Sequence, residues 1–295
     1  KWSANEKTAM ESGLGMSYAG KRAMVCMKHV GLNVAADAFI NAGMTGVNGG
    51  LVVVVADDPS MHSSQNEQDS RFYGKFAMIP VLEPATQQEA YDMTRYGFEL
   101  SEKFLLPVML RITTRLAHSR SAVVKSDNRK ENEIELPGDL KQFILLPALA
   151  RRRYKLLLSV QDKLEAEGLS SGLNRIEQGE DHSKGIIACG LSYNYYQEVA
   201  AEAGLKHPVL KISQYPLAPE LLNDFVKQVD RVLVFEEGAP MLEESLTGVL
   251  ENTYQIEGRL NGLLPRDGEL DPRLVKKALE IPLETPREVP EIVKN

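Results

Sequence analysis

Trp2-Ser3-Ala4-Asn5-Glu6-Lys7 leads through Ala9, Gly13 and Gly15 to Tyr18-Ala19-Gly20-Lys21-Arg22, and then to the apolar run at 23–27. Small residues spaced along the first segment predict a close-packed helix over about 5–19, with Glu6 near its start. The apolar run after Ala19-Gly20 reads as a buried strand. Lys28-His29-Val30-Gly31-Leu32-Asn33 then reads as a polar turn whose glycine opens the next helix, over about 33–41.

The alternation continues outward from there. A strand is expected over 51–56, a short one near 80–82, a helix opened by the capping box Thr86-Gln87-Gln88-Glu89, and a strand over 107–112. A second alternating unit places strands at 185–189, 209–212 and 231–235. Its helices fall at about 193–203, 219–229 and 240–251, with Pro219 suited to a first helical turn. Alternation of this kind implies an α/β fold, parallel sheets with helices on both faces. Residues 121–139 are charged and aperiodic. Residues 140–167 carry apolar positions at helical spacing around Arg151-Arg152-Arg153, which suits a solvated face, an interface ion pair or a phosphate contact. From Gly262 onward prolines and charges dominate, so an exposed, partly ordered tail is expected.

A chain of 295 residues suits about two domains of roughly 150 residues each. With 25% charged residues and a net charge of -7, it has no global basic field for nucleic acid or anionic membrane. No apolar run approaches the roughly 20 residues that span a bilayer, so a cytoplasmic location with no membrane partner is expected. Cys26 and Cys189 sit inside apolar runs, as buried, unpaired thiols would. Iron–sulfur clusters need several closely spaced cysteines, so any cluster is held elsewhere.

Residues able to carry chemistry gather around the strand ends, where open parallel sheets place ligands. Glu6 follows Ser3 in an S-x-x-E pattern, so its spacing also suits a capping box that merely closes its own helix. His29 and Gly31 follow the first strand, and His29 has the chemistry of a donor or of a plain surface residue. Arg115 and His118 follow Thr113-Thr114 after the strand at 107–112. A guanidinium there suits a carboxylate partner or an ordinary surface site. The loop 58–71 is long and polar, as functional or partner-contacting loops are. Gly13 and Gly15 lie inside a helix and make no dinucleotide fingerprint.

Three further runs complete the picture: Gly49-Gly50-Leu51-Val52-Val53-Val54-Val55-Ala56-Asp57-Asp58-Pro59, Ser63-Ser64-Gln65-Asn66-Glu67-Gln68-Asp69-Ser70-Arg71, and Arg111-Ile112-Thr113-Thr114-Arg115-Leu116-Ala117-His118-Ser119. Together with the opening, they resemble the pyrimidine-binding domain of the 2-oxoacid:ferredoxin oxidoreductases, most closely the alpha subunits of the indolepyruvate enzymes. Residues 121–184 match loosely. The second unit, with Val234-Phe235-Glu236-Glu237-Gly238, resembles the transketolase C-terminal-like domain of the same enzymes.

The resemblance implies a truncated pyrimidine-binding domain over 1–120, a helical connection over 121–183, a transketolase C-terminal-like domain over 184–260 and a tail over 261–295. It implies that Glu6 hydrogen-bonds N1′ of the thiamine aminopyrimidine, that His29 and Gly31 line the cofactor, and that Arg115 and His118 face the substrate. The family oxidises aryl 2-oxoacids with coenzyme A to acyl-CoA, carbon dioxide and reduced ferredoxin, pairing this subunit with a beta subunit. It uses thiamine diphosphate, Mg2+ and 4Fe-4S clusters. The family's G-D-G motif for diphosphate and metal does not occur in this chain, nor does its cysteine-rich cluster segment. The expectation is therefore an internal fragment, inactive alone, with no metal site of its own. A pyruvate or 2-oxoglutarate enzyme, or a noncatalytic assembly subunit, remains an alternative.

Overall fold

The computed structural model describes residues 1–249, 255–265 and 268–283. Its first sheet runs β1 (Ala23–Lys28), β2 (Leu51–Asp57), β4 (Val108–Thr113), β3 (Val81–Leu82), β8 (Gln214–Tyr215) in spatial order. The second runs β10 (Gln255–Glu257), β9 (Arg231–Phe235), β6 (Gly185–Cys189), β7 (Val209–Ile212), β5 (Arg175–Glu177). Both are parallel except at one edge, where β8 pairs antiparallel with β3 and β5 with β7. These short edge strands are the departure from the all-parallel expectation. An antiparallel strand needs no helical crossover, and β8 follows β7 directly, so the chain passes from one sheet to the other there.

Around the first sheet lie α1 (Glu6–Tyr18), α2 (His29–Thr45), α3 (Arg71–Ala77), α4 (Gln87–Phe104) and α5 (Thr114–His118). α4 opens as its sequence implies: Thr86 Oγ1 accepts from the Glu89 amide at 3.1 Å, and Glu89 Oε2 accepts from the Ala85 amide at 2.8 Å. After the irregular stretch at 119–139 come α6 (Pro147–Ser159) and α7 (Gln161–Ser170). Arg151 and Arg152 are exposed, whereas Arg153 donates to the Met44 and Thr45 carbonyls at 3.0 and 2.6 Å. It thus satisfies the free carbonyls at the end of α2. The second sheet carries α8 (Ser192–Ala203), α9 (Pro219–Val226), α10 (Met241–Val249) and α11 (Pro272–Ala278).

Apolar packing is continuous across the two sheets. One buried cluster runs from Met10, Leu32 and Phe39 through Val81 and Tyr215 to Ile187, Leu210 and Val234.

Three expectations are corrected. The segment after β1 is not a turn, because α2 begins at His29 and carries Gly31 within its first turn. The chain beyond Gly262 is not an exposed tail as far as it is described: Leu264, Leu270, Val275 and Ala278 are buried in a cluster with Tyr196 and Phe235. Residues 284–295 lie outside the described residues. Cys189 is buried but Cys26 is exposed, since β1 is an edge strand on which Ala23, Val25 and Met27 face the core and alternate residues face out.

Candidate active site at the carboxyl edge of the first sheet

Register brings the carboxyl ends of three strands together, Lys28 beside Ala56 and Asp57 beside Thr113. α2 leaves this edge immediately, with Lys28 as an extended N-cap that makes no side-chain cap bond.

Glu6 is the first residue of α1, and Asn5 rather than Ser3 caps that helix, accepting from the Thr8 amide at 2.9 Å. The capping-box alternative for Glu6 is therefore set aside. The Glu6 side chain lies instead across Gly31. A Cβ built on Gly31 would fall 2.5 Å from Glu6 Cγ and 2.9 Å from both Cδ and Oε1. Gly31 is thus glycine because a carboxylate occupies the place of its side chain. Glu6 is half-buried, and its carboxylate has no hydrogen-bond or ion-pair partner among the described residues.

His29 is 1% exposed, so the surface alternative is overturned. Its Nε2 donates to the Asn66 carbonyl at 3.2 Å, which in the neutral ring leaves Nδ1 an acceptor. Nδ1 is buried with no partner.

The loop 58–71 that supplies Asn66 is organised by Asp58. Its carboxylate accepts from the Ser63 amide at 2.9 Å, Ser64 Oγ at 2.6 Å, Thr114 Oγ1 at 2.8 Å and Lys28 Nζ at 3.4 Å. One side chain therefore joins the ends of β1, β2 and β4. Burial pushes its carboxyl up, but these donors overcome that and hold it well below the usual carboxylate range.

Arg115, at the start of α5, meets the second half of the chain. Its Nε donates to Glu269 Oε2 at 3.0 Å, and its Cζ stands 5.5 Å from the Tyr195 ring centroid. His118 is exposed at the last residue of α5. The structure thus brings Glu6 and Gly31 into contact and sets His29, the first residue of α2, against the loop 58–71 through Asn66. It gives Arg115 a separate set of neighbours.

Sequence reasoning missed a buried ionic network between the sheets. Arg71 is held by Asp69 and donates to Glu236 at 2.8 Å and to the Ala239 carbonyl at 2.9 Å. Arg111 pairs with Asp57 and Glu83 and donates to the Glu237 carbonyl at 2.8 Å. Both arginines are fully enclosed. Glu83 also accepts from Tyr215 at 3.2 Å and rests on Gly190, whose φ of +49 and lack of a side chain admit it. Burial raises Asp57 and Glu236, while the two guanidiniums overcome the same burial at Asp69 and lower it to about 2. The available signal was an arginine inside an apolar strand, Met109-Leu110-Arg111-Ile112, and a Glu236-Glu237 pair at the end of another.

Two concavities lie elsewhere. One of about 700 Å³ is formed where 130–138 cross Gly20 and Arg22; another of about 290 Å³ is lined by Met78, Ile79, Tyr215, Leu217 and Met241. None of the five candidate residues lines either.

Residues 3–144 match the family described as pyruvate flavodoxin/ferredoxin oxidoreductase, thiamine diphosphate-binding. The chain is 45% identical over 272 residues to indolepyruvate oxidoreductase subunit IorA of Archaeoglobus fulgidus, covering 91% of this chain and 43% of that protein. It is also 45% identical over 304 residues to the Pyrococcus abyssi subunit of the same name, covering 99% and 47%. The chain spans less than half the length of these curated relatives. Among solved structures, the 2-oxoglutarate:ferredoxin oxidoreductase of Magnetococcus marinus, bound to 2-oxoglutarate, coenzyme A and succinyl-CoA, superposes with a TM-score of 0.67 at 16% identity, over 94% of this chain and 56% of that one. A split-gene transketolase, an inactive beta4 tetramer, gives 0.54 at 16% identity over 93% and 80%, and both likenesses speak for the fold. Residues 3–144 thus carry the thiamine diphosphate-binding domain of the pyruvate flavodoxin/ferredoxin oxidoreductases, and over nearly its whole length the chain is similar to part of the indolepyruvate oxidoreductase subunits.

Proposed function

We propose that this chain supplies the aminopyrimidine side of a thiamine-diphosphate site in an enzyme that oxidises aryl 2-oxoacids with coenzyme A and reduces ferredoxin. The observation that carries the reading is the Glu6 carboxylate laid across Gly31 without a partner. A carboxylate with free acceptor atoms, in a cradle that admits no side chain beneath it, fits a protonated ring nitrogen. Thiamine diphosphate, when bound, supplies the electron sink for decarboxylation of the 2-oxoacid.

The chain's own residues orient and hold protons. Glu6 accepts from the aminopyrimidine and fixes its tautomer. Gly31 and His29 shape the adjoining wall, with His29 Nδ1 the acceptor there. Arg115, with His118 beside it on α5, pairs with the substrate carboxylate. On this reading the diphosphate and Mg2+ are held outside this chain, as are the 4Fe-4S clusters. A beta subunit and ferredoxin are the partners, and the setting is the cytoplasm. Among the described residues no helix is long and apolar enough to cross a membrane. We read the units as 1–120, 121–183 and 184–260.

Steady-state ferredoxin reduction by the full-length oxidoreductase, with indolyl, phenyl and methyl 2-oxoacids, tests the proposal. The expected order favours the aryl compounds and requires coenzyme A. Absence of turnover with every 2-oxoacid would overturn it.

A further inference from the structure

We propose that Tyr195 and Glu269 are positioning residues that aim Arg115 at the carboxylate of the 2-oxoacid. The inference rests on the reading of Arg115 given above and adds how the guanidinium is held. An arginine on a five-residue helix has a long, freely rotating side chain, and a bidentate carboxylate contact requires its planar fork to be fixed in advance.

Two contacts fix it. Glu269 takes Nε alone, side-on, at 3.0 Å, and the Tyr195 ring lies 5.5 Å from Cζ. Nη1 and Nη2 make no hydrogen bond among the described residues, and the side chain is 44% exposed. The end of the fork is therefore left for a ligand.

Both holders are themselves held. Tyr195 is 6% exposed and donates to Glu237 Oε1 at 3.4 Å. The Glu269 amide donates to Ser60 Oγ at 2.8 Å, and His62 Nε2 stands 3.2 Å from the same Glu269 oxygen that Arg115 uses. Glu67 accepts from the Gly268 amide at 3.0 Å, which closes the loop 58–71 over this segment. An exposed surface ion pair would lack this backing of buried tyrosine, second carboxylate and docked loop.

The test uses the full-length oxidoreductase with Arg115→Ala, Tyr195→Leu, Tyr195→Phe, Glu269→Gln and the double variant Arg115→Ala/Tyr195→Leu. Tyr195→Leu is expected to raise KM for every 2-oxoacid roughly tenfold, with kcat and the KM for coenzyme A little changed. Tyr195→Phe, which keeps the ring, is expected to restore KM. In the Arg115→Ala background Tyr195→Leu is expected to add nothing, because its effect passes through Arg115. If Arg115→Ala raises KM while Tyr195→Leu does not, the positioning role is wrong and the reading of Arg115 stands. If Arg115→Ala is silent, that reading fails. Additive losses in the double variant would show a general structural role for Tyr195 and overturn the inference. Should Tyr195→Leu fail to fold by thermal melting, Glu269→Gln carries the same comparison.

Discussion

Glu6 lies across Gly31 so closely that a methyl group at residue 31 would stand 2.5 Å from Glu6 Cγ. The contact joins the start of α1 to the first turn of α2, and it separates stability from activity. Gly31→Ala favours the helix by roughly 0.5–1 kcal/mol, and the flexible Glu6 side chain yields to the new methyl. We expect melting to change little while turnover of the full-length enzyme falls about 100-fold, because the carboxylate is displaced by about 1 Å. Retained turnover would mean that the Glu6 position is unimportant.

Asp58→Asn is expected to cost about 1–3 kcal/mol, since one amide oxygen cannot serve the donors that a carboxylate serves. The pH dependence follows from the lowered carboxyl. Its contribution is fully present above the unfolded value of about 3.9 and is lost as pH falls through the folded one. Urea titrations from pH 7 to pH 3 should therefore show a flatter acid limb for the variant. An unchanged acid limb would remove Asp58 from the organisation of the loop.

Glu237 behaves in the opposite sense. Burial pushes its carboxyl up against the pull of Thr113 and Arg111, with Glu269 and Glu83 adding to the rise, and Oε2 is buried without a partner. Tyr195 and Arg115 face it from α8 and α5. The folded state therefore favours the proton, and stability contributed below about pH 4.3 is lost as pH rises toward the folded value. Glu237→Gln should match or exceed the parent in stability at pH 7 to 8, with a smaller slope above pH 4.5. A loss of more than about 2 kcal/mol at pH 7 would show that the charged form is required.

Arg111→Met removes the cation shared by Asp57 and Glu83 and leaves both buried without it. A loss of about 3–5 kcal/mol is expected by chemical denaturation. A loss below about 1 kcal/mol would mean that the network does not hold the sheets together.

β1 to β4, β6, β7 and β9 were legible because each is a short apolar run between polar turns, whereas β5, β8 and β10, of two or three residues, carry no such run and were not expected. Gly31 was misread as a turn signal because local rules treat glycine as a breaker, whereas here a side chain from another helix needs the space. The exterior of β1 was misread for a related reason: an apolar run does not say whether its second face is covered, so Cys26 was expected inside. α11 was hidden because the burial of Val275 and Ala278 is created by α8 and the second sheet. The network of Arg71 and Arg111 was invisible as a network, since Arg71 and the Ala239 carbonyl it meets are 168 positions apart and only the packing of two sheets joins them. Glu6 was the reverse case. A local pattern suggested a cap, and the observed Asn5 cap removes that role and leaves the carboxylate free.

The most direct measurement is kcat of the full-length enzyme carrying Glu6→Gln, compared with the parent at saturating 2-oxoacid and thiamine diphosphate. Glutamine preserves the size of the side chain over Gly31 and its acceptor oxygen but is a poor proton partner. A fall of at least about 100-fold, with the thermal midpoint unchanged, is the result expected of a general acid–base role. Turnover within a few-fold of the parent would contradict the assignment of Glu6 to the aminopyrimidine.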